Sequence, residues 1–229
     1  MRHQIAHGPT FTTLEFECAA GEAVTAQPGA MLAMTPGFEL NARVGAQMQG
    51  NGFSRAFRSL AVGESFFAAI YTAKRDGEHL TLAPEHMGDI RALEVDSNHR
   101  FLIAGGAFLA ATGKLQLSAS YAGVKGLMTT RGLFLLKAEG EGQLFLTSHG
   151  ALVQRELVAD ERFVLDNRYI VAFDRDMRYE TVKVAGSLRH SFLSGEGFVN
   201  RFTGPGSLLY QTRARPSQGL LRGFFQMAT

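Results

Sequence analysis

The residues of widest chemical reach in this chain are its seven histidines: His3, His7, His79, His86, His99, His149 and His190. His7, His86 and His149 each fall near the start of a repeated stretch, and His7 and His149 are both followed by glycine. Three imidazoles gathered about one axis would suit zinc or a similar divalent ion. The competing reading is three turn histidines facing water on separate edges, and that reading is favoured. No two histidines are separated by a single residue, so the His-x-His pair of a cupin-type metal enzyme is absent. Neither a Gly-x-Ser-x-Gly elbow nor a His-Glu-x-x-His motif occurs, so no serine nucleophile or zinc-protease site is supported. The expectation is a chain with no catalytic residues and no cofactor.

Two further constellations could bind rather than react. Gly195-Glu196-Gly197 lacks the third glycine of a dinucleotide fingerprint and precedes a strand-like run, so it reads as a tight turn. Arg55, Arg58, Arg201, Arg213, Arg215 and Arg222 are interleaved with Phe53, Phe57, Phe198 and Phe202. Arginines with aromatics can hold phosphates and stacked bases, but phenylalanines at alternating strand positions more often belong to a core. If one binding site is to be chosen, it is the hairpin from Gly195 to Gly206. Its candidates are Gly195, Gly197, Arg201, Gly204 and Gly206, together with Arg213. The alternative for the glycines is turn geometry alone.

Charge does not argue for nucleic acid. The 229 residues carry 23 basic and 21 acidic side chains, a net of +2, too balanced for an electrostatic footprint. Cys18 is the only cysteine, so no internal disulfide forms and nothing points to an oxidising compartment. In Leu14-Glu15-Phe16-Glu17-Cys18 it shares a face with Phe16 and reads as an inert core thiol, its pKa raised by the two neighbouring glutamates. The first residues show no signal peptide, and no apolar run is long enough to span a membrane. The expected location is cytoplasmic, with a peripheral association with the inner membrane as the further option.

The elements that must position these residues are strands. Phe67, Ala69 and Tyr71 alternate with Ala68, Ile70 and Thr72, and the same period of two marks Leu80–Leu82, Leu115–Leu117, Phe163–Leu165 and Tyr179–Val184. No interior window sustains a helical stripe. Three stretches match one another: Pro28–Met34, Gly105–Ala111 and Asp166–Ala172. Around each lie an opening strand, a turn, a second strand and, after the marker, a further strand and a Gly-rich hairpin. Asp76-Gly77 and Gly140-Glu141-Gly142 are expected to turn hairpins that join consecutive units. The third unit shows no return strand of its own. Gln4–Gly8 reads like Leu146–Gly150, so the N-terminal strand is expected to close it.

The fold class that follows is all-β: one domain of three tandem β-sandwich units with pseudo-threefold symmetry. The units run over about residues 8–75, 88–138 and 151–213, with a short tail over 216–229. The tail places Leu220, Leu221, Phe224 and Phe225 on one side of a short helix. The expectation is that it packs on its own body or a sister subunit, with a membrane surface as the alternative.

Gln27–Met34, Gly106–Ala110, Gly195–Gly206 and Gln211-Thr212-Arg213 resemble the altered-inheritance-of-mitochondria family over about residues 3–215. The resemblance implies a short double-stranded β-helix like that of the tryptophan RNA-binding attenuation protein, a TRAP-like unit present three times in one chain. It brings no established catalytic residues. It implies scaffolding near membranes, because mitochondrial members are linked to inner-membrane organisation. Lacking a transit peptide, the chain looks like a bacterial-type member. The expected protein is therefore a non-enzymatic scaffold or binding protein, homo-oligomeric, with a protein partner or a membrane surface. A ligand- or RNA-binding groove between repeats is the second option and a metal protein the third. Nucleic acid is disfavoured as a partner.

Overall fold

A computed structural model describes residues 1–44, 67–120, 135–183 and 198–214. The tail over 216–229, Gly195 and Gly197 lie outside them. The described residues are nearly all antiparallel β, as the period of two requires. In β2 (Thr13–Cys18), for example, Leu14, Phe16 and Cys18 are buried while Glu15 and Glu17 reach toward water.

The strands fall into three segments. The first follows β1 (Arg2–Ala6) and holds β2, β3 (Ala23–Ala26), β4 (Met31–Met34), β5 (Phe38–Val44), β6 (Phe67–Ala73) and β7 (Glu78–Leu82). The second holds β8 (Ile90–Val95), β9 (Phe101–Ala104) and two long strands, β10 (Phe108–Ser120) and β11 (Leu135–Thr147). The third holds β12 (Leu152–Leu157), β13 (Arg162–Asp166), β14 (Ile170–Asp174), β15 (Arg178–Lys183), β16 (Phe198–Thr203) and β17 (Gly206–Gln211).

One pairing scheme recurs in all three. In the first segment β7 lies between β2 and β4, and β6 between β3 and β5. In the third, β17 lies between β12 and β14, and β16 between β13 and β15. In the second the long strands serve both layers. The end of β11 lies between β8 and the start of β10, and its start between β9 and the end of β10. Gly113 makes the bend of β10 close enough that a Cβ there would stand 2.7 Å from the Glu141 carbonyl oxygen. The irregularity in each ladder also recurs, between Met31 and Ala33, Phe108 and Ala110, and Ile170 and Ala172. This register moves the third marker by one residue, to 167–173, whose first three residues form a 3-10 turn over Asn167–Tyr169.

Two expectations are corrected. The third segment has its own return strand, β17. The N-terminal strand β1 pairs instead with β2, with His3 opposite Phe16. The turn at Asp76-Gly77 and the bend at Gly140–Gly142 do not join segments. They lie inside them, because β7 and the end of β11 fold back onto their own segments' first strands. The recurring pairing therefore spans 13–82, 90–147 and 152–211.

Adjacent segments join edge to edge. β10 pairs with β3 and β14 with β9, which builds a ten-stranded sheet through all three segments. The connectors leading into the segments also lie side by side. Phe11 bridges Gly88, and Gly88 bridges Gly150, both in parallel. The Gly88 amide donates to the Thr10 carbonyl at 2.9 Å, the Gly150 amide to Met87 at 3.1 Å, and the Arg213 amide to His149 at 3.1 Å. Buried side chains complete this hub. Thr12 Oγ1 donates to the Gly88 carbonyl at 2.8 Å, and Ser148 Oγ to the Gly150 carbonyl at 2.9 Å. Gln211 accepts from the His149 amide at 2.9 Å and donates to the Arg168 carbonyl at 2.8 Å. Such pairing is what lets polar groups stand in a core.

A Cβ on Gly88 would lie 1.8 Å from the Ser148 carbonyl oxygen, and backbone cannot yield as a flexible side chain can. Gly88→Ala is expected to destabilise the protein by about 1–3 kcal/mol through overpacking, read from urea unfolding midpoints. An unchanged midpoint would contradict the connector packing.

Candidate functional site

The connector hub presents the densest gathering of candidate groups. His86 and His149 meet there, their rings stacked with centroids 4.0 Å apart and planes at 29°. Arg213 is exposed beside them. Its backbone amide is held by His149, and its Nη1 donates to the Thr212 carbonyl at 3.0 Å. On the same connectors Phe11 and Met87 stand in water at 69% and 66% exposure.

The histidine trio is not assembled. Imidazole lone pairs lie in the ring plane, so two stacked rings do not converge on one ion at about 2.0–2.1 Å. His7 lies against β2, with its Nε2 4.0 Å from Glu15 Oε1. Among the described residues no three of His, Cys, Asp and Glu are grouped to hold a metal. The reason is register. The bridges equate Phe11, Gly88 and Gly150, so the three histidines stand four, two and one residues before equivalent positions.

The glycine-arginine candidates are also dispersed. Arg201 sits on β16 directly opposite Glu180 of β15 and donates to its carboxylate at 2.8 Å. Gly204 and Gly206 form the turn into β17. A Cβ on Gly204 would stand 2.2 Å from the Val158 carbonyl oxygen. Gly206 has φ 146°, and a Cβ there would stand 2.7 Å from Met177 Cε. Both glycines are thus explained by close packing. Arg213 lies past the far end of β17, and six strand residues span roughly 20 Å. Phe202 is fully buried among Phe173 and Tyr179 and presents no face for a base.

Among the ionisable groups with shifted pKa values, Cys18, Asp174 and Glu78 show the structural causes most plainly. Burial, and then Glu22, push the Cys18 thiol up to about 11. The inert-thiol reading stands, but the acidic contributor is Glu22 rather than Glu15 and Glu17. Asp174 is raised by burial, with Glu156 and Asp176 adding to it, while the Ser207 amide at 2.6 Å opposes the rise. Glu78 is nearly buried. It accepts from the Thr35 hydroxyl, from the Gly37 amide at 3.1 Å and from Arg75 Nε at 3.0 Å. The Thr35 hydrogen bond first, then Gly37 and Arg75, hold its pKa below the ordinary 4.5. All three groups serve the fold.

Phe11 and Met87 escaped the sequence reading, and Ser148 and Gln211 entered it only as members of matched stretches, without a role of their own. Thr10-Phe11-Thr12 looks like strand alternation with phenylalanine inward, and Met87-Gly88 looks like an ordinary turn. Only the bridging of distant connectors marks them.

An antiparallel all-β protein whose ladders share one recurring bulge is the class this geometry defines. The chain belongs to the family described as mitochondrial biogenesis AIM24, which it matches over residues 3–213. It is also similar to a crystal structure of a protein from Streptococcus pyogenes, at 27% identity and a TM-score of 0.75, over 100% of this chain and 99% of that one. No curated protein matches it. Among the described residues no helix is long and apolar enough to cross a membrane.

A depressed carboxylate pKa adds stability that is present above the unfolded value and lost as pH falls through the folded one. Stability should therefore fall with acidification below about pH 4.5 less steeply in Glu78→Gln than in the parent. Parallel acid-unfolding curves for the two proteins would contradict the role of this cluster.

Proposed function

We propose that the protein is a non-enzymatic scaffold or binding protein that works as a homo-oligomer, in the cytoplasm and peripheral to a membrane. Its body is three copies of one TRAP-like unit joined edge to edge, with β4 and β13 left at the two ends of the row. The recurrence of the four ladders and of the bulge supports that repeat.

The observation that carries the reading is that large apolar side chains stand in water on firmly bonded backbone. Phe11 and Met87 do so on the bridged connectors, and Met31, Leu32 and Met34 do so along one strand. Apolar surface concentrated in this way marks contact with a partner or a membrane. The Glu180 carboxylate already occupies Arg201, so a phosphate there would have to compete with it, and the RNA-groove reading gains no support.

The test is native mass across a concentration series, with co-sedimentation on anionic and neutral phospholipid vesicles. The expected result is a discrete species heavier than the 24.9 kDa chain, together with vesicle binding reduced by Phe11→Ser and Met87→Ser. A protein that stays at monomer mass at every concentration and never sediments would overturn the reading.

A further inference from the structure

Each junction between segments joins a strand that carries the recurring bulge to the second strand of the segment before it. Ala110 and Ala111 of β10 oppose Ala26 and Thr25 of β3. Ala172, Phe173 and Asp174 of β14 oppose Ile103, Leu102 and Phe101 of β9. Two strands of these kinds remain over. β4 is the edge of its four-stranded sheet and β13 the edge of its three-stranded sheet, and among the described residues neither has a neighbour on its free side.

Burial shows what the free edges lack. In the paired strands 108–111 and 170–173 are all buried. The equivalent stretch of β4 is exposed throughout, with Met31 at 39%, Leu32 at 60% and Met34 at 39%, and Val164 of β13 is at 52%. The cores repeat the same message. Leu109 and Ala110 of the second segment belong to the first segment's core, and Val171 and Ala172 of the third belong to the second's. The third segment's core receives no such residues, and Phe163, Leu165, Tyr179 and Tyr210 stay partly exposed against it. Exposed edges are normally blunted by charge, proline or a bulge. Met31-Leu32-Ala33-Met34 carries neither charge nor proline, and its bulge is the one that β10 and β14 carry while paired.

We infer that β4 of one molecule pairs antiparallel with β13 of a second copy, placing Ala33 opposite Leu165 and Met34 opposite Val164, with Leu32 entering the second copy's open core. The register follows from spacing. The residue opposite the second bulge position lies five before the first in both internal junctions, Ala26 before Met31 and Ile103 before Phe108, and Leu165 stands five before Ile170. The contact is heterologous, so copies join head to tail into a ring or a filament. This inference rests on the oligomeric part of the proposed function and names its surface.

The first measurement is native mass against concentration for the parent, Leu32→Lys and Val164→Lys. Placing a lysine in the closed junction should weaken association by at least about tenfold. The second uses Met34→Cys and Val164→Cys, both at exposed positions, so folding is checked by circular dichroism. Directly opposed strand residues lie within disulfide reach, with Cα atoms about 4.5–5.5 Å apart. Oxidising the two proteins together should give a mixed covalent dimer, and neither should cross-link alone. An internal disulfide at monomer mass in the Met34→Cys/Val164→Cys double variant would overturn the second-copy pairing, because the chain would then close on itself. So would an oligomer that forms no mixed disulfide and ignores both lysines, although the scaffold reading would survive. A parent monomeric at every concentration would overturn this inference together with the oligomeric part of the proposed function.

Discussion

Leu109 and Val171 each sit at a bulge of their own strand and enter the core of the preceding segment. Much of the remaining architecture depends on that exchange. It satisfies the backbone of one strand edge and fills a gap in the neighbouring core in a single step. A bent ribbon of this size closes poorly alone, since strand edges need partners and few strands enclose few apolar side chains. Pairing edge to edge while inserting a residue addresses both needs. It also makes the segments interdependent, so stability is shared along the row rather than held in each one.

The connector hub complements this exchange. It holds the turns at fixed spacing by backbone bridges, and glycine is needed where two backbones approach closely. Thr12, Ser148 and Gln211 are buried there because each has a hydrogen-bond partner. The hub thereby fixes the relative positions of the segments, and the exposed Phe11 and Met87 are presented on backbone that local motion cannot easily withdraw.

The all-β class was legible from the period of two, because strand alternation is a local property. The matching markers were legible for the same reason, to within one residue. The slip at Asp166–Ala172 came from the 3-10 turn, where Asn167-Arg168-Tyr169 stands in place of a Gly-containing turn. Pairing partners were harder to read. Leu146–Gly150 and Gln4–Gly8 look alike, yet β1 pairs with β2 and β17 completes the third segment. Which edge a strand chooses is a long-range matter that alternation does not encode. The histidine trio failed for a related reason, since proximity to a turn does not fix a residue's place relative to an axis. Arg201 reads from the sequence as a binding candidate in a Gly-rich hairpin, whereas its partner Glu180 can be found only from the register. The exposure of Met31-Leu32-Ala33-Met34 was invisible, because its sequence is as apolar as the buried strands it matches.

The most direct measurement is amide hydrogen exchange at residues 31–34 and 163–165, followed across protein concentration. Alternate amides of those stretches face the unpaired edges, the others belonging to the ladders with β7 and β16, while β3 and β10 lie in an internal junction. The account predicts that protection at 31–34 and 163–165 rises with concentration toward that of β3 and β10, whose own protection stays constant. Fast exchange at both edges, unchanged from dilute to concentrated protein, would contradict it.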